Sequence, residues 1–267
     1  MKRFIPNELL TLLEFWLSSS YSCIKWDSAS SERIHLCFGV RQGLVLLPYL
    51  FAIYLDDLMM TCLSALGVCI ILYANDILLV VPLVCGLDTL TKTCETELNR
   101  LDMVINTRKS CCLRIGPRNN ASCLPVSLSA FTVILWVDEM RYLGIFIVHS
   151  RTFKCSLEHA KKQFYCATNA VFAIIGRVAS EEVTLQLVKV KCFPVLLYGL
   201  EACPLTKSDL HSLDFVINRF FMKLFTTKNI EIVMYCQEYF GFALPSALWA
   251  KRVSKFELSS KCFLSAL

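Results

Sequence analysis

A short stretch near residue 75 constrains the fold more than any other part of the chain. Residues 70–81 read IILYANDILLVV, in which two runs of apolar residues flank a polar break that contains Asn75 and Asp76. Short runs rich in Ile, Leu and Val, bounded here by Gly67 and Pro82, are typical of β-strands. The segment therefore predicts a strand, a tight turn and a second strand.

The polar break admits two interpretations. A carboxylate between two buried strands costs free energy unless something pairs with it, and a metal ion is a common partner. Asn and Asp are also frequent in β-turns, so that Asn75 and Asp76 could simply form the tip of a hairpin. This stretch alone leaves both interpretations open.

The hydrophobicity of the chain raises the question of a membrane span. Of the 267 residues, 55% are hydrophobic and 18% are charged. Residues 66–85 approach the length of about 20 residues that a spanning helix needs. However, this segment contains Asn75, Asp76 and Pro82, and an aspartate is costly inside a bilayer. We therefore expect a buried sheet here and no membrane partner.

The N-terminus and the cysteines indicate an intracellular protein, cytoplasmic or nuclear. Met1-Lys2-Arg3 leads into Pro6, Asn7 and Glu8 rather than into the apolar core of a signal peptide. The 15 cysteines are scattered without regular spacing, and no CxxC pair occurs. We expect reduced cysteines that serve as small core residues.

The charge is uneven along the chain. Residues 1–150 contain 12 Lys and Arg against 13 Asp and Glu, whereas residues 151–267 contain 15 against 9. A basic second half would suit a polyanion that lies across it. Solvated helix faces would give the same asymmetry, so the charge alone decides little.

The pattern of secondary structure changes near residue 150. Before it, strand-like runs alternate with amphipathic helices, such as the one marked by Leu90, Cys94 and Leu98. After it only helical patterns follow, and Thr206 with Asp209 resembles a capping box that begins one of them. We predict an α+β fold, with an antiparallel sheet and helices in residues 1–150 and an all-helical region in residues 151–267.

Several motifs occur in the order in which one enzyme family carries them. RQGLVLLPYLF stands at 41–51, YAND at 73–76, YLG at 142–144 and LLYGLE at 196–201. Asn106 and Lys109 lie between the second and third of these motifs and match a further block. Together the motifs resemble the reverse transcriptases of non-LTR (LINE-type, jockey-like) retrotransposons.

The resemblance implies a partial polymerase palm in residues 1–150 and a thumb-like region in residues 151–267. It also implies an RNA/DNA primer–template as partner and Mg²⁺ as cofactor. The implied catalytic positions are Asp76, Asn75 and Lys109; those for nucleotide and template are Arg41, Gln42, Gly43 and Tyr73; and those of the primer grip are Tyr142, Leu143 and Gly144. Basic residues of the thumb-like region are candidates for contacts to phosphates, namely Lys189, Lys191, Arg219 and Lys223.

The departures from the family pattern bear on activity. The family has a metal-binding aspartate where this chain has Asn75, and a neutral amide is a poorer Mg²⁺ ligand than a carboxylate. Another family carboxylate belongs to a strand expected before the first helix, which leaves Asp76 as the residual metal ligand. We therefore expect a truncated, degenerate copy that is catalytically inactive. The alternatives are a nucleic-acid-binding or interaction protein that reuses the thumb, and a membrane protein.

Overall fold

The computed structural model describes residues 6–36, 47–56, 67–129, 132–175 and 178–265. The chain divides into two compact units, Met1–Val104 and Ile105–Leu267. This division lies well before residue 150, where the change from palm to thumb is predicted. The compact units do not decide which residues form a palm and which a thumb, so that assignment stays a prediction.

The first unit contains short helices and two-stranded antiparallel pairs. Its elements are α1 (Asn7–Ser18), β1 (Tyr21–Ser22), β2 (Lys25–Trp26), β3 (Ala29–Ser30), β4 (Ile34–His35), α2 (Leu47–Tyr54), β5 (Cys69–Tyr73), β6 (Asp76–Val80) and α3 (Val84–Arg100). β1 pairs with β4, β2 with β3, and β5 with β6. The amphipathic helix expected around Leu90 is confirmed as α3, which buries Leu90, Cys94 and Leu98 and packs against β6.

The first helix departs from its predicted packing. The sequence predicts a helix that Asn7 caps, with Leu9 and Trp16 among the residues on its buried side. In the structure Pro6 precedes α1 as its N-cap, and α1 has no buried residue. Leu9 and Trp16 are exposed. The apolar stripe predicted the helix correctly, but no other described element covers that stripe.

The segment after α1 folds as one hairpin inside another. The pattern predicts two longer strands, 21–26 and 33–38, joined by a polar loop at 27–32. The structure instead has β2 at the end of the first predicted strand and β3 inside the predicted loop, with Trp26 opposite Ala29. Asp27 adopts a positive φ of 52°, so the polar loop is itself a tight turn. Residues 37 and 38 lie outside the described residues.

The second unit begins with short strands and continues as helices. Its elements are β7 (Val126–Ser127), β8 (Val133–Ile134), β9 (Glu139–Tyr142), β10 (Ile145–Val148), α4 (Glu158–Ile175), α5 (Glu181–Leu187), a π-helix (Val188–Cys192), α6 (Phe193–Leu196), a 3₁₀-helix (Leu200–Ala202), α7 (Lys207–Leu224), α8 (Ile230–Tyr239) and α9 (Pro245–Ser265). β7 pairs with β8 and β9 with β10. The predicted α+β class is therefore correct.

The helices of the second unit share one apolar core. Phe164 of α4, Leu196 of α6, Leu213 and Phe221 of α7, and Val233 of α8 are all fully buried in it. The ring of Phe221 lies 4.9 Å from that of Phe242 in an edge-to-face arrangement, a geometry that aromatic rings favour. This core holds the helices in a fixed arrangement.

Two helix starts in the second unit follow the sequence closely. The Thr206 hydroxyl accepts a hydrogen bond from the Asp209 amide, and the Asp209 carboxylate accepts one from the Thr206 amide, so that the predicted capping box is present. Asn229 caps α8 by accepting from the Glu231 amide at 2.8 Å. These short-range signals act within one turn and need no tertiary context.

One predicted helix end is wrong. The sequence predicts a helix that Ser180 caps and that ends before Pro194, but this helix continues through a π-helix into α6. Proline lacks an amide hydrogen, and its ring clashes with the carbonyl four residues earlier in an α-helix. We attribute the wider π turn to this clash, since Phe193 donates to Val188, five residues earlier.

The structure bears directly on the membrane alternative. In the part of the chain that the structure describes, no helix has the length and apolarity to cross a membrane. Residues 69–80, which lie within the candidate span, form the β5–β6 hairpin instead.

Candidate catalytic hairpin and nucleic-acid interface

The YAND motif forms the tip of the β5–β6 hairpin. Tyr73 pairs with Asp76 across the hairpin, which leaves Ala74 and Asn75 as a two-residue loop. Ala74 has a positive φ of 49°, as the first loop residue does in both of the favoured two-residue hairpin turns. The predicted strand–turn–strand is therefore present, and Asp76 is the first residue of the second strand.

The tip of this hairpin is open to solvent. Tyr73, Asn75 and Asp76 are all exposed, and Ile70 is buried lower in the hairpin. The sequence suggested a carboxylate held between buried strands, but Asp76 lies beyond the buried part of the pair. Burial therefore gives no reason for Asp76 to need a counter-ion.

The ligand set at this tip does not fit a centre for two metal ions. Reverse transcriptases use divalent metal ions, and chemistry with two such ions needs several carboxylates around them. Asn75 contributes a neutral amide at the position beside Asp76. Across the described residues, no group of three or more His, Cys, Asp or Glu side chains could hold a metal ion.

Asn106 shapes a turn that presents Lys109. The carbonyl of Asn106 accepts from the amides of Lys109 and Ser110 at 3.1 and 3.0 Å, and its side-chain oxygen also faces the Lys109 amide at 3.3 Å. The side chain of Lys109 is exposed. Lys109 belongs to the second compact unit and Asp76 to the first. Arg41, Gln42 and Gly43 lie outside the described residues.

The sequence at 140–147 predicts a second tight hairpin with Gly144 in its turn, and the YLG motif forms that hairpin. Tyr142 pairs with Ile145, and Leu143 and Gly144 form the loop with φ values of 47° and 86°. Positive φ at both loop positions is typical of the turn that matches the twist of the strands. The hairpin is confirmed, whereas its role as a primer grip stays a prediction.

The structure brings the YLG hairpin against the LLYGLE motif. A Cβ atom added to Gly144 would lie 2.9 Å from the ring of Tyr198, and one added to Gly199 would lie 2.5 Å from the Cδ1 of Ile145. Gly144 thus makes room for Tyr198 of the LLYGLE motif, and Gly199 makes room for Ile145, which follows the YLG motif in the hairpin. Sequence reasoning named both motifs but did not foresee this contact, because no local signal encodes it.

A second set of contacts fixes the base of the same hairpin to α4. His159 Nε2 lies 2.9 Å from Glu139 Oε2, and the His159 ring stacks on Phe146 with centroids 3.6 Å apart. The guanidinium of Arg141 lies 5.9 Å from the centroid of the same Phe146 ring. The hairpin is therefore held both at its turn and at its base.

The four predicted phosphate contacts differ in their surroundings. Lys189 is half-buried, and its ammonium donates to the carbonyls of Phe240 and Gly241 at 3.4 and 3.3 Å. Lys223 donates to Asn169 at 2.8 Å, and Arg219 lies over the Phe215 ring at 5.9 Å. Lys191 is exposed. Arg219 and Lys223 share one face of α7, since they are four residues apart.

Sequence reasoning missed the cations of the last helix. Lys251, Arg252 and Lys255 of α9 line a groove that Lys189 also lines. The spacing of these basic residues is visible in the sequence and could have indicated a shared face. Their proximity to Lys189 depends on how α9 packs, which the spacing does not reveal.

Comparison with known proteins agrees with this arrangement of motifs. The family described as "Reverse transcriptase (RNA-dependent DNA polymerase)" matches residues 3–147, which is more than half of the chain. The "Retrovirus-related Pol polyprotein from type-1 retrotransposable element R2" of Popillia japonica is 27% identical over 219 residues. The match covers 75% of this chain but only 30% of that polyprotein.

No solved structure matches the chain. The motifs in their order, the match to the family and the similarity to a retrotransposon polyprotein agree with one another. The chain therefore belongs to the reverse transcriptase family, in its non-LTR retrotransposon branch.

Proposed function

We propose that this chain binds a primer–template through its basic second unit and does not itself extend the primer. The family is one that binds template and primer, and residues 105–267 contain 20 Lys and Arg against 11 Asp and Glu. The observation that carries the inactivity is the tip of the β5–β6 hairpin, where Asn75 stands beside Asp76.

The chemistry of the tip supports loss of activity rather than altered activity. A divalent cation prefers carboxylate oxygens, and its affinity follows the number of charged ligands. The tip offers the carboxylate of Asp76 and the amide of Asn75, both exposed to water. Mg²⁺, the cation that the family pattern implies, would therefore bind weakly there.

A primer-extension assay tests the inactivity. The purified chain is incubated with a DNA primer on an RNA template, all four deoxynucleotides and Mg²⁺ or Mn²⁺. We expect no extended product, and the variant Asn75→Asp should remain inactive because two adjacent carboxylates at one exposed turn do not make a centre for two ions. Extension by the wild-type chain would contradict the inactivity, and extension by the variant alone would reveal a further carboxylate in this chain.

A binding assay tests the other half of the proposal. Phosphate contacts release counterions, so binding of a labelled primer–template duplex should weaken steeply between 50 and 200 mM salt, by roughly 10-fold or more for several contacts. The double variant Arg219→Gln/Lys223→Gln should weaken binding, whereas Lys162→Gln/Lys228→Gln, which removes the same charge from two other exposed positions, should not. Binding no tighter than that of an unrelated protein of equal net charge would refute the proposal.

A further inference from the structure

A groove in the second unit has fixed walls. The π-helix and α6 form one wall, and α9 forms the other. Two hydrogen bonds anchor α9 here, because Trp249 Nε1 donates to the Leu200 carbonyl at 2.8 Å and Arg252 Nη1 donates to the Leu197 carbonyl at 3.1 Å. The groove, of about 320 Å³, is therefore formed before any ligand binds.

The floor of the groove is apolar. Phe193, Pro194, Leu197 and Leu248 line it. Phe193 and Leu197 belong to the buried core, so the floor rests on a rigid base. Pro194 is exposed and Leu248 is half-buried, so these two residues provide most of the exposed apolar surface of the floor. Such a floor favours a flat apolar group over a charged one.

The rim of the groove is cationic. Lys189, Lys251, Arg252 and Lys255 surround the floor, and none of the described residues that line the groove is acidic. Lys189 and Arg252 are held by carbonyl oxygens, which fixes their charges. Lys251 and Lys255 are exposed and, being four residues apart, extend from the same face of α9.

We propose that this groove binds a segment of single-stranded nucleic acid, with one base on the apolar floor and the flanking phosphates at the cationic rim. The inference rests on the proposed function and deepens it by naming a site. Of the four basic residues singled out from the sequence, only Lys189 belongs to this site. A strand in which flat apolar rings alternate with negative charges complements a small apolar floor surrounded by four cations.

The apolar floor favours a single strand over a duplex. In a double helix the bases are stacked and paired inside, so a duplex offers this groove only its phosphates. A single strand can place an unstacked base on the floor and still reach the rim with its phosphates. The groove would thus bind unpaired template or transcript beside the duplex, rather than the duplex itself.

Fluorescence anisotropy with the full chain tests the assignment. The probes are a labelled single-stranded 15-mer RNA, a DNA of the same sequence, and the blunt duplex of that DNA. For Lys251→Gln/Lys255→Gln we expect at least about 10-fold weaker binding of the single strands, with a salt slope smaller by about 1.4 because each phosphate contact on a single strand contributes roughly 0.7. Binding of the duplex should change less than about threefold, since the phosphates of a duplex have other cations available.

Lys162→Gln/Lys228→Gln removes the same charge from exposed positions outside the groove and should leave all three affinities unchanged. Equal loss in both double variants, or no loss in the groove variant, would overturn the proposal. If the wild-type chain binds no nucleic acid at all, the proposed function itself fails. If it binds but is insensitive to the groove variant, only this inference fails.

A crosslinking experiment avoids any effect of substitution on folding. A single-stranded RNA containing 4-thiouridine is irradiated with the wild-type chain, and the crosslinked peptides are identified by mass spectrometry. Crosslinks within residues 193–197 or 248–255 support the proposal, and crosslinks confined to other segments contradict it. Displacement of the RNA from those segments by a poly-glutamate peptide at a much lower concentration than unlabelled RNA requires would assign the groove to an acidic protein instead.

Discussion

At the scale of single residues, two glycines determine how the YLG hairpin meets the helical region. Gly144 and Gly199 have φ values of 86° and 66°, a conformation that costs other residues roughly 1–2 kcal/mol. Each also faces a side chain of the opposite segment, as the short distances to Tyr198 and Ile145 show. The requirement for glycine at these positions is thus both conformational and steric.

Replacing Gly199 by alanine should destabilise the protein by about 2–4 kcal/mol, because the backbone cost adds to an overpacking cost. The new methyl group would lie 2.5 Å from the Cδ1 of Ile145. Urea denaturation followed by circular dichroism measures the loss. Gly241→Ala is the matched control: Gly241 also has a positive φ, but nothing lies within 4 Å of the added carbon, so that only about 1–2 kcal/mol is expected.

A double-mutant cycle separates the steric part of this cost from the conformational part. Ile145→Ala removes the atoms that the new methyl group would meet. The loss in Gly199→Ala/Ile145→Ala should therefore be smaller than the sum of the two single losses by about 1 kcal/mol or more. Additive losses would show that Gly199 is needed for its backbone conformation alone.

At the scale of elements, the best-determined features are those with local chemical signals. The capping box at the start of α7 joins Thr206 and Asp209 through reciprocal hydrogen bonds. Burial raises the pKa of Asp209, but the hydrogen bonds from Thr206 and the charges of Lys154 and Lys161 outweigh it, so the net pKa is lowered. The ionised carboxylate is therefore the form that stabilises α7.

This lowered pKa predicts a pH-dependent effect of Asp209→Asn. The stabilisation by Asp209 is fully present above the unfolded-state pKa of about 3.9 and is lost as the pH falls through the lower folded-state pKa. We expect the variant to be less stable by about 0.5–1 kcal/mol at pH 7, with a difference that shrinks below about pH 4. Guanidinium denaturation at several pH values measures it, and a pH-independent difference would exclude the carboxylate as its origin.

The elements that the sequence predicts correctly are those that local contacts determine. The β5–β6 and β9–β10 hairpins and the caps at Thr206 and Asn229 follow from residues that contact one another locally. The exposed apolar face of α1 does not, because amphipathic spacing predicts a helix without saying what covers it. Passage of the helix through Pro194 also escaped prediction, since a π turn has no spacing signal of its own.

At the scale of the whole molecule, the two compact units differ in how much apolar surface they bury. The second unit contains a continuous core from Cys155 to Phe242. The described part of the first unit buries fewer large side chains, among them Leu55, Ile70 and Leu90. The YAND turn thus lies in the unit with the smaller described core.

The large core predicts where substitutions are most damaging. Phe221 is fully buried, and its ring contacts those of Phe220, Phe225 and Phe242. Phe221→Ala should cost about 3–5 kcal/mol, as other large-to-small changes in packed cores do. Phe215 lies on the same helix but is 54% exposed, so Phe215→Ala should cost less than about 1 kcal/mol. Thermal unfolding of both variants tests this, and equal costs would contradict the described packing of α7.

The candidate site was predictable in its parts but not in its assembly. Motif order alone placed Asp76, Lys109 and the YLG turn, and it identified Asn75 as a departure. The contact between Gly144 and Tyr198, and the groove that joins Lys189 to Lys255, depend on tertiary packing between segments distant in sequence. Such contacts follow from the shape of the core, which periodicity does not specify.

The π-helix at 188–192 determines in which direction the side chains of the helix that follows it, α6, point. Successive residues of an α-helix point about 100° apart, so losing one residue between Ser180 and Pro194 would turn Phe193 and Leu197 away from the core that they now occupy. A one-residue deletion in the loop at 116–125 would shift no buried side chain of the helices in this way. The fold is therefore sensitive to a one-residue deletion in one short helical segment and tolerant of such a deletion in a long loop. Substitutions alone would not reveal this difference.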